Sequence, residues 1–345
     1  MKIGGFPVGV QIGDIVEFKK LTFGEVRGRI AIDAYNTLYQ FLSIIRQPDG
    51  TPLMDSQGRI TSHISGLFYR TCNLLEKGVQ PIFVFDGMPS ELKKRTLAER
   101  RERKQIAAEE FAKAKEEGKE DEMKIFAQQT SKLTKEMAEE SKHLLRLLGV
   151  PVIQAKSEGE AQCSHMCKNG IVDATGSQDF DALLFGTPVL LKNLTIAGRR
   201  KLPRKNAFIE VVPERIELQP NLERLGISQQ KLIWIGILAG TDFNKGVYGI
   251  GAKKALKLVK ENDSFESINK TLKQPVDYKA VENLFMHPEV VDVNPDEMEF
   301  TQPDRDKLME FMLERNFTVE RVQAALQRAF KEPFGTRQSS LQKWF

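Results

Sequence analysis

The sequence predicts an α/β fold: a central, mainly parallel sheet flanked by helices, with a helical insertion between two strands and a pair of helices around a glycine-rich loop in the second half. Three observations carry this reading. Short β-rich runs alternate with helical stretches through the first half, the pattern of buried strands joined by crossovers. The tract Glu91 to Leu148 is long, charged and interrupted only by Gly118, so its composition is helical and its length exceeds an ordinary connection between a strand and a helix. After about residue 206 the chain changes character to helices separated by glycines.

Taken in order, the strands are expected at Arg29–Asp33, Pro81–Asp86, Gly149–Ile153 and Ile171–Thr175. The first part of the charged tract projects from the sheet as a separate helical element. Lys192 to Asn206 reads as a hairpin or loop. Ser228 is the N-cap of an apolar helix, Gln229–Ala239, which stops at Gly240-Thr241-Asp242. A loop, Phe243 to Gly251, leads into Ala252–Lys260, whose Ala252, Ala255, Leu256 and Val259 form one helical stripe. The segment from Lys331 carries Pro333, Gly335 and two serines and reads as a flexible linker as far as the last eight residues.

Composition narrows the function classes. With 41% hydrophobic and 28% charged residues in 345, the chain is neither disordered nor fibrous. Its apolar run Leu232 to Thr241 is far shorter than the roughly 20 residues a bilayer span needs. Met1 to Gly13 contains four glycines and Pro7, which spoil a secretory signal core. Cys72, Cys163 and Cys167 are odd in number and lack a CxxC, the usage of a reducing, cytoplasmic compartment. Cys163, His165 and Cys167 do not make a zinc set, because helix positions two apart diverge and no second ligand cluster follows. Net charge is only +4, but Lys93 to Lys104 holds seven cations against two acids, and Lys192 to Lys205 holds six against none. Such clusters suit a polyanion.

The chemistry lies in the acids. Asp33 and Asp86 end strands, and in an open parallel sheet the carboxyl ends of the strands form the ligand-binding edge. Ser157-Glu-Gly-Glu160 follows the third strand and Ser177-Gln-Asp-Phe-Asp181 the fourth, while Asp242 closes the apolar helix. Seven carboxylates, Asp33, Asp86, Glu158, Glu160, Asp179, Asp181 and Asp242, would repel one another in a single cleft unless cations were supplied. An all-oxygen set favours magnesium, with manganese as a substitute. Two such ions about 4 Å apart stabilise the attacking and leaving oxygens of a phosphodiester. Lys93 and Arg100, seven apart on a helix, share one face about 10 Å apart along it, placed to counter charge on a scissile phosphate. Gly246-Val-Tyr-Gly-Ile-Gly251, running into Lys253 and Lys254, offers backbone N–H groups at a helix start for a duplex phosphate.

These residues resemble the flap endonucleases, structure-specific 5′ nucleases of DNA replication and repair, and their archaeal branch most. The likeness spans nearly the whole chain through Ile32-Asp-Ala, Tyr39-Gln-Phe-Leu, Thr61-Ser-His, Val84-Phe-Asp-Gly87, Glu158-Gly-Glu-Ala-Gln162, Ser177-Gln-Asp-Phe-Asp-Ala-Leu-Leu184, Gly240-Thr-Asp-Phe-Asn244 and Gly249-Ile-Gly251. It implies two Mg2+ ions held by the seven acids, and Lys93 and Arg100 at the base of a helical arch that admits a 5′ single strand. It also implies Tyr39 stacking on a base, and a helix-hairpin-helix-like region (Gly249, Gly251, Lys253, Lys254) that grips duplex DNA beside a potassium ion. The expected activity cuts near a flap junction, leaves a 5′-phosphate and a 3′-hydroxyl, includes 5′–3′ exonuclease action, and serves Okazaki-fragment and repair intermediates.

Gln338, Leu341, Trp344 and Phe345 look like a sliding-clamp binding motif, one helical turn setting the apolar side chains to plug a pocket. The corresponding organisation is an N-terminal extension at 1–8, a nuclease region at 9–105, an arch insertion with its following helix at 91–140, an internal nuclease region with the DNA-binding hairpin at 141–330, and a clamp-binding tail at 331–345. Family members begin close to Val8-Gly-Val, with methionine in place of Val8. The expected natural start is therefore the Val8 codon, with Gly9 as a processed terminus near the acids; the alternative is a genuine extension that would crowd the arch. The expected protein is a monomer. The rivals are a predominantly 5′ exonuclease or gap nuclease, an RNA-only nuclease, and a noncatalytic, clamp-tethered DNA-binding scaffold that would have no use for the seven acids.

Overall fold

A computed structural model describes residues 9–47, 49–93, 132–195, 198–201 and 208–330, with Ile106, Glu109 and Glu110. Arg100, most of the arch, residues 1–8 and the tail with Gln338, Leu341, Trp344 and Phe345 lie outside these described residues.

The sheet has seven strands. In chain order they are β1 (Lys19–Lys20), β2 (Gly28–Asp33), β3 (Val79–Phe85), β4 (Val152–Gln154), β5 (Ala174–Gly176), β6 (Val189–Lys192) and, after a separate hairpin of β7 (Gly198–Lys201) and β8 (Phe208–Val211), β9 (Glu214–Glu217). Across the sheet they run β1-β9-β6-β5-β2-β3-β4. Strands β2 to β6 are mutually parallel wherever they pair, and β9 pairs antiparallel with β6 and β1. Successive residues of β2 and β3 point to opposite faces. Ile30, Ile32, Phe83 and Phe85 join a core with α1 (Ala34–Ile44), α2 (Ser62–Glu76), α3 (Lys135–Leu147), α11 (Arg305–Leu313) and α12 (Val319–Phe330). Ala31, Ile82 and Val84 pack on the other face against α4 (Gly159–Lys168).

A further core gathers Val10 and Ile12 with α5 (Asp181–Leu184), α6 (Leu218–Leu225), α7 (Gln229–Ala239), α8 (Ala252–Glu261), α9 (Phe265–Thr271) and α10 (Lys279–Met286). Helix α7 is buried almost all round, and Ser228 caps it by accepting from the Lys231 amide at 3.2 Å. In α8, Ala252, Ala255 and Val259 are buried and Leu256 is half-buried, the stripe expected from the sequence.

Two strands start later than expected. Gly149 has φ +70° and the Val150 amide donates to Leu145 O, so Gly149 and Val150 finish α3 and β4 begins only at Val152. Likewise Gly170 has φ +70° and the amides of Ile171 and Val172 both donate to Met166 O, closing α4 before β5 begins at Ala174. Asp86 stands one residue beyond β3. The antiparallel partner β9 was not anticipated.

Chain order creates a crevice. From β2 the chain moves outward to β3 and β4, then crosses back to β5 on the other side of β2. The connections that leave the adjacent strands β2 and β5 therefore run in opposite directions, the switch point at which open α/β sheets bind ligands.

Candidate metal centre

The acids at this edge are anchored one by one. Asp33, ending β2, caps α1, its Oδ1 accepting from the Asn36 amide at 2.9 Å. Asp86 accepts from the Gly159 amide at 2.7 Å, so the start of α4 faces a carboxylate with the favourable end of its dipole. Glu158 is the residue before α4 and is buried. Its Oε2 receives the Lys93 ammonium. Glu160 accepts from Ser177 Oγ at 2.5 Å, and that hydroxyl also receives the Asp179 amide at 3.1 Å. Asp179 Oδ2 receives the Asn36 side-chain amide at 2.6 Å. Asp181 and Asp242 hold the N-terminal segment, accepting from Val10 N at 2.9 Å and Gly9 N at 3.0 Å. Gly9 lies so close that a Cβ there would meet Asp179 Cβ at 2.9 Å.

The electrostatics match a crowd of like charges. Burial, and then the Asp86 charge, push the Asp33 carboxyl up to about 7 against the stabilising Asn36 amide. Burial raises Glu158 despite Lys93, with Asp86 adding to the rise. Glu160 is driven well above the carboxylate range by burial, then by Asp179, Asp181 and Asp33. Asp179 is driven the same way by burial, then by Asp181, Asp242 and Asp33. Burial works to lower the Lys93 pKa, but Asp86, Glu158 and Asp242 outweigh it and hold the ammonium charged. These mutual influences bring all seven acids and Lys93 into one electrostatic cluster.

This cluster suits hard divalent cations. Its donors are all oxygens, and Glu158 Oε1 is buried without any hydrogen-bond partner, an expensive state that a cation would relieve. Among the described residues no three acids, histidines or cysteines close around a single point; the carboxylate oxygens are engaged by backbone amides, Ser177, Asn36 and Lys93. Cys163, Cys167 and His165 form no metal set: both thiols are buried and His165 pairs with Asp292 at 3.1 Å.

Sequence reasoning missed four residues here. Asn36 and Ser177 connect acids from different strands. Gly87 permits the Asp86 turn to lie on the chain leading to Glu158, since a Cβ would stand 2.2 Å from Lys156 O and 2.3 Å from Ala155 O. Lys192 places its ammonium 3.5 Å from the centre of the Phe180 ring, between the neighbours Asp179 and Asp181. A lysine in a basic run and an asparagine in a first helical turn carry no distinguishing signal, but the FDG turn could have been questioned for its glycine.

Other candidates sit further along the same elements. Tyr39 is exposed on α1. Gly249 has φ +78°, Lys254 donates to its carbonyl at 2.9 Å, and Gly251 precedes α8 with no side chain capping it. Lys253 and Lys254 are exposed and the neighbouring Tyr248 is fully so. The start of the loop is tied back to the end of α7 by Thr241 Oγ1 donating to Asn244 Oδ1 at 2.8 Å and Asn244 Nδ2 donating to Ile237 O at 2.7 Å.

Two family models match the chain: the XPG N-terminal domain over residues 11–107 and the XPG I-region over 149–242. The chain is 49% identical to a flap endonuclease 1 of Thermofilum pendens, covering 98% of this chain and 99% of that one. It is 46% identical to the flap endonuclease 1 of Pyrococcus furiosus, with 98% and 99% covered. Among solved structures, the flap endonuclease-1 from Methanococcus jannaschii superposes with a TM-score of 0.73 at 38% identity over 94% of this chain and 98% of that chain. The catalytic core of Rad2 in complex with DNA substrate superposes at 0.66 and 26% identity, over 92% and 97%.

Proposed function

The chain belongs to the flap endonuclease family, and from that premise we propose that its seven rim acids and Lys93 form a magnesium-dependent centre that cuts branched DNA near a 5′ flap junction. Its activity is that of a structure-specific 5′ nuclease of DNA replication and repair. The finer reading is a cut leaving a 5′-phosphate and a 3′-hydroxyl, with 5′–3′ exonuclease action on Okazaki-fragment and repair intermediates. The observation that carries it is the gathering of seven carboxylates and one ammonium at the β2–β5 switch point.

Bound divalent ions would supply charge neutralisation for the attacking and leaving oxygens. The chain's own residues do the rest. Asp33, Asp86, Glu158, Glu160, Asp179, Asp181 and Asp242 hold that charge at the sheet edge. Lys93, freed from Glu158, presents a cation to the non-bridging oxygens of the scissile phosphate as negative charge builds there, and Arg100 shares this role. Phosphates of the duplex meet the uncapped start of α8, with Gly249, Gly251, Lys253 and Lys254 fixing position without reading sequence. A potassium ion at that hairpin belongs to the same reading. Tyr39 offers a ring to a base next to the cut. Gln338, Leu341, Trp344 and Phe345 dock a sliding clamp, the protein acts as a monomer, and it works in the cytoplasm at the nucleoid. The free cysteines agree with a reducing compartment, and no helix among the described residues is long and apolar enough to cross a membrane.

An end-labelled double-flap substrate tests this directly. With magnesium, a single cut near the junction is expected, and chelator should abolish it. Equal or faster degradation of blunt duplex from its 5′ end would replace the flap reading with an exonuclease.

A further inference from the structure

We infer that Asn36 is a positioning residue that locks the Asp33 and Asp179 carboxylates together across the β2–β5 crevice, setting the shape of one ion-binding position before any ion arrives. This rests on the metal-centre reading above. Asn36 reaches both strand ends: its backbone amide donates to Asp33 Oδ1 at 2.9 Å, and its side-chain amide donates to Asp179 Oδ2 at 2.6 Å.

The arrangement has little slack. Asp33 ends β2, Asp179 follows β5, and these strands pair in parallel from Ile30–Ala174 to Ile32–Gly176, so their ends open into the same crevice. Asp179 is confined on three further sides. Its amide is held by Ser177 Oγ, its Cβ lies under the Gly9 backbone, and Phe180 beside it carries Lys192 on its ring. The carboxylate itself is held by the Asn36 side-chain amide. An acid that already points correctly loses less freedom when it binds, which is how partners of metal ligands commonly add 10-fold or more to affinity.

The two arms of Asn36 can be separated. Any residue at position 36 keeps the backbone amide, hence the Asp33 cap of α1, whereas only the side chain reaches Asp179. Asn36→Leu therefore deletes one arm with similar volume, and Asn36→Ala does so with no new bulk.

Manganese binding to the full-length protein without DNA, followed by electron paramagnetic resonance, is the test. Wild-type protein should bind two ions, and each variant should bind one of them about 10-fold more weakly. In parallel, the magnesium concentration for half-maximal cleavage should rise while the rate at saturating magnesium and the melting temperature stay near wild type. Unchanged manganese affinity in a folded Asn36→Ala protein would overturn the inference. So would a lowered melting temperature with a reduced plateau rate in both variants, which would mark a structural role. Wild-type protein that binds no manganese would instead overturn the metal-centre reading beneath it.

Discussion

The Lys93 ammonium donates to the Glu158 carboxylate, joining the base of the charged insertion to the residue that opens α4. In this arrangement Lys93 is an internal counter-ion on a carboxylate that a divalent cation would also seek. Lys93→Ala should therefore have two separable effects. Divalent ions should bind at least as well, because a competitor has gone, while single-turnover cleavage at saturating magnesium should fall by about 10²–10³, the usual loss for one charge-stabilising donor. Rapid-quench kinetics beside manganese titration would show both, and a variant that cleaves at the wild-type rate would remove Lys93 from the reaction.

Asp181 gives a second expectation. It is buried at 3% exposure and accepts from the Val10 amide, so its removal lowers the negative charge of the cleft and releases the N-terminal segment. Asp181→Ala should bind flap DNA within a few-fold of wild type, since less negative charge faces the phosphates, yet cut it slower by about 10² or more. Gel-shift and cleavage assays on the same substrate check this, and full activity would contradict the assignment of Asp181 to the centre.

Gly87 tests the scaffold under the acids. The Gly87 amide donates to Ser157 O at 2.7 Å, and the carbonyls that a new Cβ would strike are backbone atoms with no rotamer to escape into. Gly87→Ala should cost about 1–3 kcal/mol of stability through overpacking and disturb Asp86 and Glu158 together, so activity at saturating magnesium falls as well. Gly24→Ala, whose nearest neighbour would be Thr22 Oγ1 at 3.7 Å, should change neither thermal melting nor cleavage.

How much of this was legible in the sequence depends on the kind of signal. Apolar runs ending in aspartate showed where β2 and β3 deliver acids to the rim, because burial on both faces leaves a continuous hydrophobic pattern. The starts of β4 and β5 were misplaced because Val150, Ile171 and Val172 are β-formers that the chain uses to close helices after glycines in the left-handed region. Strand β9, Glu-Arg-Ile-Glu, alternates like any exposed segment and only its pairing with β6 marks it. Within the site, Glu158 with Glu160 and Asp179 with Asp181 stood out as pairs two apart, and Asp33, Asp86 and Asp242 as ends of apolar runs, whereas the Asn36 side chain and Lys192 act through space on Asp179, far off in sequence.

A polar staple behind the sheet yields a stability expectation. Glu140 on α3 pairs with buried His63 at 3.3 Å and with Arg315 at 2.7 Å. The His63 hydrogen bond and the Arg315 charge, against burial, hold its carboxyl down at about 2. A depressed carboxyl stabilises the fold above its unfolded pKa of about 4.5, and that contribution disappears as pH falls toward 2. Because Glu140 keeps part of its side chain in water, the contribution is about 1–2 kcal/mol after screening. Glu140→Gln should be less stable than wild type by that amount at pH 7, and the difference measured by denaturant unfolding should close between pH 4.5 and 2. A constant difference across that range would mean that packing, not charge, accounts for the loss.

Asp33 gives the opposite sign. Its carboxyl binds a proton more tightly in the fold, at about 7, than in the unfolded chain near 3.8, so protonation favours the folded state. That favour is complete below pH 4 and is lost as pH rises through 7. Protein stripped of ions with chelator should accordingly melt lower at pH 8 than at pH 5.5. Divalent cations compete with protons for the same oxygens, so magnesium should raise the melting temperature strongly at pH 8 and little at pH 5.5, with protons released on binding near pH 7. Scanning calorimetry in buffers of different ionisation enthalpy would register both effects. Asp33→Asn removes one of several acids whose carboxyls are raised at this edge and should lessen the pH dependence of the chelated protein; a slope identical to wild type would assign the proton to another acid.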